Sequence, residues 1–376
     1  MKQKLAILVG FLFFGAVLLL VVTRKQPQPT ATPTSTTTEI TLEYSTEKKD
    51  WLEAAVATFH AAHPEITVTL VGKGSLEAEQ AIANGEDKPT LWSPADSSIA
   101  NLLVADWKGG KPYAAAPEPL LLTPLVYAVW EDRAQVLLAA SGGTISWTSI
   151  HAAVSSPKGW PGIGGKPGWG FVKLGHTDPT RSNSGVEALT LMAYEFFGST
   201  TPLTVEQLLD PKFQAFVQEI EAGVPHFEAS TGTFMTDMIR FGPSKYDIAV
   251  VYEALAVSQL ANAQGRWGSL HIYYPPVTIW SDHPIARLDG DWVTPPQRAA
   301  ADQLIAYLRS VPAQSTALSF GFRPADPSVP MKTEGSPFAK LDQFGVSLEL
   351  PPAAQPPSGE VVHNLMQMWS RLVKAK

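Results

Sequence analysis

A dense run of polar side chains lies in the segment GHTDPTRSNSGVEAL, residues 175–189. Hydroxyl, amide and carboxylate groups stand there directly before an apolar helical pattern, on Thr177, Asp178, Thr180, Ser182, Asn183 and Ser184. A helix cap needs a single such residue. The free N–H groups and partial positive charge of a helix N-terminus can also hold an anion. Capping explains part of this run, and the surplus favours a segment that binds a ligand.

Other arrangements of reactive side chains are incomplete. His176, Asp178 and Ser182 are too close in sequence for the geometry of a nucleophilic triad, and the chain has no Gly-x-Ser-x-Gly turn. His60 and His63 lack the His-Glu-x-x-His pattern of a zinc site, so an exposed helix face is expected there. The absence of cysteine excludes disulfides, thiolate catalysis and cysteine-bound zinc. We therefore predict a binding protein and not an enzyme, with no cofactor and no metal.

Length, composition and charge limit the class of partner. The chain of 376 residues is long enough for two lobes, and its 45 % hydrophobic and 17 % charged residues indicate a packed globular protein. The net charge is −7, without a basic run outside the N-terminal region. This argues against nucleic acid, because phosphate contacts need a basic surface. We expect a monomer that binds a small molecule or an ion.

The N-terminus predicts a membrane segment. An uncharged apolar run extends from Leu5 to Val22, and about 18 such residues can just span a bilayer core. No Ala-x-Ala cleavage pattern follows it. We predict a single-pass anchor over residues 1–25 and a Pro/Thr-rich linker over residues 26–38 that cannot pack a core. A cleaved signal peptide, which would give a secreted protein, is the alternative.

The remaining chain, from Glu39, alternates strand and helix patterns. Apolar residues alternate with polar ones before Ser45, a helical pattern follows, and the next strand pattern leads to a helix at Ser75. This order is typical of a parallel sheet covered by helices, in which ligands lie beyond the carboxyl ends of strands. Later elements are expected as strands at GFVKLG (170–175) and 248–251, and as helices over 184–197, 204–222, 230–240 and 360–373.

Polar groups stand at four of the expected strand-to-helix junctions. These groups are Ser45, Ser93, the segment 177–184, and the pair Tyr252 and Glu253. Two α/β lobes that face each other across a cleft would bring the four junctions together, as happens at ligand sites between domains.

Several segments, taken in order, resemble the bacterial extracellular solute-binding proteins of the type II periplasmic-binding fold. They are LEYSTEKKDWL, TLWSPADSS, PLVYAVW, GHTDPTRSNSGVEAL, YDIAVVYEALA, GDWVTPPQRAAADQLIAYL and GFRP. The chain is most similar to a group linked with von Willebrand factor A domains, and more distantly to molybdate- and sulfate-binding proteins. The resemblance implies a two-lobed α/β fold, with lobe one over residues 39–125 and 276–376, lobe two over 126–275, and LLLTPLVYAVW as the first crossing.

The resemblance also implies a site and a location. Lobe one would contribute hydroxyl groups that face those of lobe two around a small ligand, on the extracytoplasmic side of the membrane. Delivery to an ABC-type permease or a sensor would follow. The expected ligand-binding residues are Ser45, Thr46, Ser93, Thr177, Asp178, Ser182, Asn183, Ser184, Tyr252 and Glu253.

The ligand class depends on the balance of charge at this site. Neutral hydroxyl donors favour an oxyanion, but Asp178 and Glu253 would repel one unless Lys48 or Arg181 offsets them. A cationic or amine-bearing solute is therefore the alternative ligand. A surface scaffold that keeps the fold without binding a small molecule is the alternative function, and a cleft filled by Trp and Phe would indicate it.

Overall fold

The structure, a computed structural model, describes residues 37–374. The predicted anchor over residues 1–25 and residues 26–36 of the predicted linker lie outside this range. Within residues 37–374, no helix combines the length and the apolar character that crossing a bilayer requires.

The described residues contain ten strands and thirteen α-helices. The strands are β1 (Thr38–Tyr44), β2 (Ile66–Gly72), β3 (Leu91–Ser93), β4 (Leu121–Trp130), β5 (Leu174–Gly175), β6 (Ile248–Tyr252), β7 (Leu270–Tyr273), β8 (Trp280–Ser281), β9 (Ala286–Arg287) and β10 (Arg323–Pro324). The helices are α1 (Lys49–Ala62), α2 (Ser75–Ala83), α3 (Ser97–Asp106), α4 (Glu131–Ser141), α5 (Trp147–Val154), α6 (Asn183–Phe197), α7 (Val205–Leu208), α8 (Pro211–Glu221), α9 (Thr231–Phe241), α10 (Glu253–Ala263), α11 (Pro295–Leu308), α12 (Val311–Leu318) and α13 (Gly359–Trp369). A π-helical turn, Ser370–Lys374, extends α13.

One sheet has the strand order β2-β1-β3-β9, and we call this sheet and the helices on it lobe one. β1 is parallel to both β2 and β3, so the carboxyl ends of β1 and β3 meet, with Tyr44 opposite Ser93. Helices α1 and α11 cover the sheet with a core that includes Trp51, Phe59 and Leu304. The register places Ser45 and Ser93 at the same edge of the sheet.

The other sheet, with its helices, forms lobe two. Its strands have the order β10-β4-β6-β5, and β7 and β8 also pair with β4. The first residues of β4 pair with β10 and β8, whereas Leu125–Trp130 pair with β6 and β7. The strand is buried along almost its whole length because its alternate side chains pack into two cores, one on each face of the sheet. These two sheets and their helices form the predicted two-lobed α/β architecture.

Two expected elements differ from the structure. Of the predicted strand GFVKLG, only Leu174–Gly175 pairs, in parallel with β6. The predicted helix over residues 204–222 is divided into α7 and α8, because Pro211 begins a new helix and Asp210 Oδ1 accepts a hydrogen bond from the Lys212 N–H at 2.7 Å. By contrast, α6 and α9 confirm the helices expected over 184–197 and 230–240.

The C-terminal helix, which the sequence assigns to lobe one with the rest of residues 276–376, packs one of its faces against lobe two, while its Val362 joins a core that includes Leu103 of lobe one. α13 carries an apolar stripe of Val361, Leu365, Met368 and Trp369, at helical spacing. These side chains join the core formed around α6 and α8. The apolar spacing of this helix can be recognised from the sequence, but which core it packs against depends on the tertiary structure.

Candidate functional site

The segment before α6 brings hydroxyl groups together. Thr177 Oγ1 lies 2.7 Å from Ser184 Oγ, and Ser184 Oγ lies 2.7 Å from Thr231 Oγ1. Ser182 Oγ lies 3.3 Å from Thr231 Oγ1, and all four residues are buried. We call these four residues the hydroxyl cluster. The segment can fold this tightly because Gly185 has no Cβ, which would stand 2.4 Å from the Thr177 carbonyl oxygen.

Two helices begin at this cluster, α6 after Ser182 and α9 after Ser230. As the structure describes them, neither helix has a hydrogen bond from its N-cap side chain to a backbone N–H of the first turn. The hydroxyl groups therefore bond to one another and leave the positive ends of both helices toward the cluster. Convergent helix N-termini with neutral donors are an arrangement that binds anions.

Lobe one contributes a buried charged group beside Ser45. The Ser45 hydroxyl contacts both Glu47 and Lys48, and Lys48 Nζ donates to the Pro94 carbonyl oxygen at 3.0 Å. Lys48 is fully buried, and burial lowers its pKa to about 8 although Glu47 opposes the shift. Burial resists ionisation of Glu47, but Lys48, His283 and Ser45 together lower its pKa to about 2. The two side chains therefore carry opposite charges that compensate each other.

The two lobes approach each other closely at this point. A Cβ on Gly232, in the first turn of α9, would lie 3.6 Å from both the carbonyl oxygen and Oγ1 of Thr46. A Cβ on Gly74 would lie 2.9 Å from the Arg181 carbonyl oxygen. The contact at Gly232 would accept a side-chain Cβ, whereas the absence of a Cβ at Gly74 allows the backbone of lobe one to lie against the segment that begins α6.

Further polar groups lie at the carboxyl ends of the strands. Ser93 Oγ and His283 Nε2 are buried and have no hydrogen-bond partner among the described residues. Tyr252 packs its ring against His283, with 5.6 Å between ring centroids, and its hydroxyl accepts a hydrogen bond from Asn183 Nδ2 at 3.1 Å. Buried polar groups in proteins are usually satisfied, so unpaired ones are available to a ligand.

A cavity of about 400 Å³ adjoins Thr46 at the junction of the lobes. We call it the rim cavity. Glu47 and Trp51 line it from lobe one, and Gly232, Thr233 and Ser258 line it from lobe two. Its wall is mixed, since Trp51 and Phe320 stand among hydroxyl, amide and carboxylate side chains.

The comparison with known families decides the class of protein. Residues 40–323 match the family model of the bacterial extracellular solute-binding proteins. The chain belongs to this family. The match confirms the resemblance that the sequence segments carry. No curated protein sequence matches this solute-binding protein.

Solved structures agree with this fold. The solute-binding protein is similar to the sulfate-binding protein SubI from Mycobacterium tuberculosis H37Rv, at 18 % identity and a TM-score of 0.57, over 90 % of this chain and 99 % of that chain. It is also similar to a periplasmic thiamin binding protein, at 12 % identity and a TM-score of 0.62, over 90 % and 96 % of the two chains. A third similar structure is AfuA from Actinobacillus pleuropneumoniae with fructose-6-phosphate bound, at 14 % identity and a TM-score of 0.57, over 90 % and 99 %. At these identities the likeness concerns the fold.

Two expected ligand residues of the solute-binding protein, Asp178 and Glu253, have ion-pair partners within the protein. Asp178 Oδ1 accepts from the Thr180 N–H at 2.8 Å, and its Oδ2 lies 2.8 Å from Lys374 Nζ. Burial opposes ionisation of Asp178, but Lys374 and Thr180 lower its pKa. Glu253 is fully buried in a two-point ion pair with Arg323, at 2.6 and 2.8 Å. The charges expected to offset these acids were Lys48 and Arg181, whereas the structure uses Lys374 and Arg323.

Sequence reasoning missed several residues of the site. Thr231 belongs to the hydroxyl cluster, and the segment EASTGTF carries the same signal as 177–184, with hydroxyl groups directly before a helix. Ser281 ends the two-residue strand β8 and His283 follows it, without any local sequence pattern. Glu187 lies one turn after Asn183, whose Nδ2 donates to Glu187 Oε1 at 2.8 Å. A glutamate in an otherwise apolar helix face was the available signal for this last residue.

Proposed function

We propose that this protein is an extracytoplasmic solute-binding protein that captures a small oxyanion between its lobes for an ABC-type permease or a sensor. The observation that carries the proposal is the hydroxyl cluster at the converging N-termini of α6 and α9. Such an arrangement supplies neutral donors and a positive potential without a free countercharge.

The charges around the cluster support an anion. Asp178 and Glu253, which would repel one, are each compensated by a basic side chain. Glu47 is compensated by Lys48. Ser45, Thr46 and Ser93 from lobe one, and Asn183 and Tyr252 from lobe two, complete the proposed ligand shell, while Asp178 and Glu253 hold its scaffold in place.

The oxyanion class comes from these residues and not from the relatives. Proteins of this fold are described with sulfate, thiamin and fructose-6-phosphate as their ligands. The mixed, open rim cavity supports ligand capture over a scaffold, because ligand sites are concave with few convergent polar groups.

We further propose that residues 1–25 anchor the protein with a single span, with the N-terminus inside and the lobes outside. The apolar run and the extracellular family together support this placement. If the segment is a cleaved signal peptide instead, the same domain is secreted. In either case the domain acts as a monomer.

Calorimetry of the full-length protein in detergent tests the ligand class. Molybdate, tungstate, sulfate and phosphate are titrated beside divalent cations and amino acids. A ligand at 100 times its Kd should stabilise the fold by about 2.7 kcal/mol. Binding heat from a cation or an amino acid, with none from any oxyanion, would contradict the oxyanion as the ligand class. Ligand binding between the lobes would still stand.

A pair of variants locates the binding. Ser45→Ala combined with Ser184→Ala should remove most of the ligand-dependent stabilisation while the fold persists. Ser199 and Thr201 form a matched control, because their hydroxyls also bond to each other, at 2.9 Å, but at an exposed site after α6. Ser199→Ala combined with Thr201→Val should therefore bind like the unmodified protein. Equal loss in both double variants would contradict the proposed location.

A further inference from the structure

A second cavity, of about 180 Å³, lies between the beginnings of α3 and α6, strand β8 and the segment before α13. We call it the acidic cavity. Its polar lining includes Asp96, Ser98 and Glu187, and its apolar lining includes Trp280 and Pro357. It has a single residue, Asn183, in common with the ligand-binding set expected from the sequence.

Glu187 is the unusual group of this cavity. Its side chain is buried, with 5 % of the residue exposed. One oxygen, Oε1, accepts from Asn183 Nδ2 at 2.8 Å and from the Ser281 hydroxyl. The other oxygen, Oε2, has no hydrogen-bond partner among residues 37–374. A buried acceptor without a partner is costly, and native proteins seldom keep one without a role.

A second carboxylate lines the same space. Asp96 Oδ1 accepts from the Ser98 N–H at 2.7 Å and caps α3. No lysine, arginine or histidine of the described chain forms an ion pair with Asp96 or Glu187. Burial and the nearby charge of Asp282 raise the pKa of Asp96 to about 6. Burial and the charge of Asp96 raise the pKa of Glu187 well above its ordinary value.

The shape and lining of the cavity restrict what could neutralise these acids. At about 30 Å³ for each water-sized group, 180 Å³ holds roughly six non-hydrogen atoms. Among the described residues, no group of three or more His, Asp or Glu side chains is placed to hold a metal ion. An ammonium group needs only acceptors for its N–H bonds, and Glu187, Asp96 and Ser98, which line the cavity, all carry oxygen acceptors. Trp280 and Pro357 offer apolar surface to an alkyl chain.

We propose that the acidic cavity binds a small primary ammonium ion on a short alkyl chain, held between Glu187 and Asp96. The alkyl chain lies against Trp280 and Pro357. This site is separate from the hydroxyl cluster, and it stands whether or not the cluster binds an oxyanion.

Calorimetry of the full-length protein in detergent tests this site with n-butylamine, and with 1-butanol as a neutral analogue of nearly the same shape. Butylamine should bind, and butanol should bind at least ten-fold more weakly. Glu187→Gln should weaken butylamine binding at least ten-fold. Glu219→Gln, at an exposed glutamate of α8 that faces His151, is the matched control and should leave the affinity unchanged.

Asp96→Asn provides a variant that keeps the fold, because asparagine caps a helix as well as aspartate does. It should also weaken butylamine binding at least ten-fold. Equal affinity for butylamine and butanol, or unchanged butylamine binding in folded Asp96→Asn and Glu187→Gln, would overturn the proposal and leave Glu187 as a protonated structural acid.

Discussion

The buried ion pair between Arg323 and Glu253 allows a mutational effect to be worked out from the structure. The guanidinium makes two hydrogen bonds to the carboxylate, at 2.6 and 2.8 Å, and the Glu253 side chain is fully buried. Arg323→Met removes the cation and leaves the carboxylate with the Tyr274 hydroxyl as its side-chain partner. Breaking such a pair by removing one member costs about 3–5 kcal/mol. For a domain of roughly 340 residues, this loss lowers Tm by about 4–7 °C.

Urea unfolding, followed by tryptophan fluorescence and far-UV circular dichroism, measures this loss. The double variant Arg323→Met, Glu253→Gln should recover a large part of the free energy of unfolding, because no uncompensated charge remains. Asp302→Asn is the control, because the Asp302 side chain that pairs with Arg287 is exposed to solvent. Loss of this exposed ion pair should lower the free energy of unfolding by at most about 1 kcal/mol. If Arg323→Met costs no more than this control, Glu253 is not held by the ion pair and its assignment as a scaffold residue is wrong.

Three further predictions concern pH, domain limits and motion. Burial raises the pKa of Glu195 from 4.5 to about 7, against the hydrogen bonds from Trp147 and Tyr127. Its contribution to stability is therefore complete below pH 4.5 and is lost as pH rises through 7, at about 1.4 kcal/mol per pH unit. Glu195→Gln should flatten urea midpoints measured from pH 5 to 8, and an unchanged slope would contradict this. A chain that begins at Glu39 should be a soluble, cooperatively unfolding monomer by sedimentation and denaturation, and aggregation would contradict the anchor prediction. Solution scattering should show a smaller radius of gyration at saturating ligand, whereas an unchanged radius would favour a rigid scaffold.

Local patterns predicted much of the fold. The alternation before Ser45 and the helical spacing after it gave β1 and α1, because burial of one face imposes the period. The sequence also predicted the group of hydroxyl side chains before α6, and in the structure Thr177, Ser182 and Ser184 lie in one cluster. These features depend on neighbours within a few residues along the chain.

Long-range partners could not be predicted in the same way. Glu253 and Arg323 are 70 residues apart, and Asp178 meets Lys374 from the opposite end of the domain. No sequence spacing links such pairs, so the sequence predicts both acids as ligand-binding residues and does not indicate Arg323 or Lys374 as their partners. The prediction of a strand over all of GFVKLG was wrong for a related reason. Pairing with a distant strand defines its length, and only Leu174–Gly175 pairs with β6.

The central claim is that an oxyanion binds where the hydroxyl groups of lobe two meet lobe one. A crystal structure with tungstate tests this most directly, because anomalous scattering locates tungsten without reference to the protein atoms. We predict a single strong peak at the start of α6 and α9, with tungstate oxygens in hydrogen-bond reach of Ser184, Thr231 and Ser45. A peak elsewhere, or none at a tungstate concentration that saturates the calorimetric signal, would contradict it.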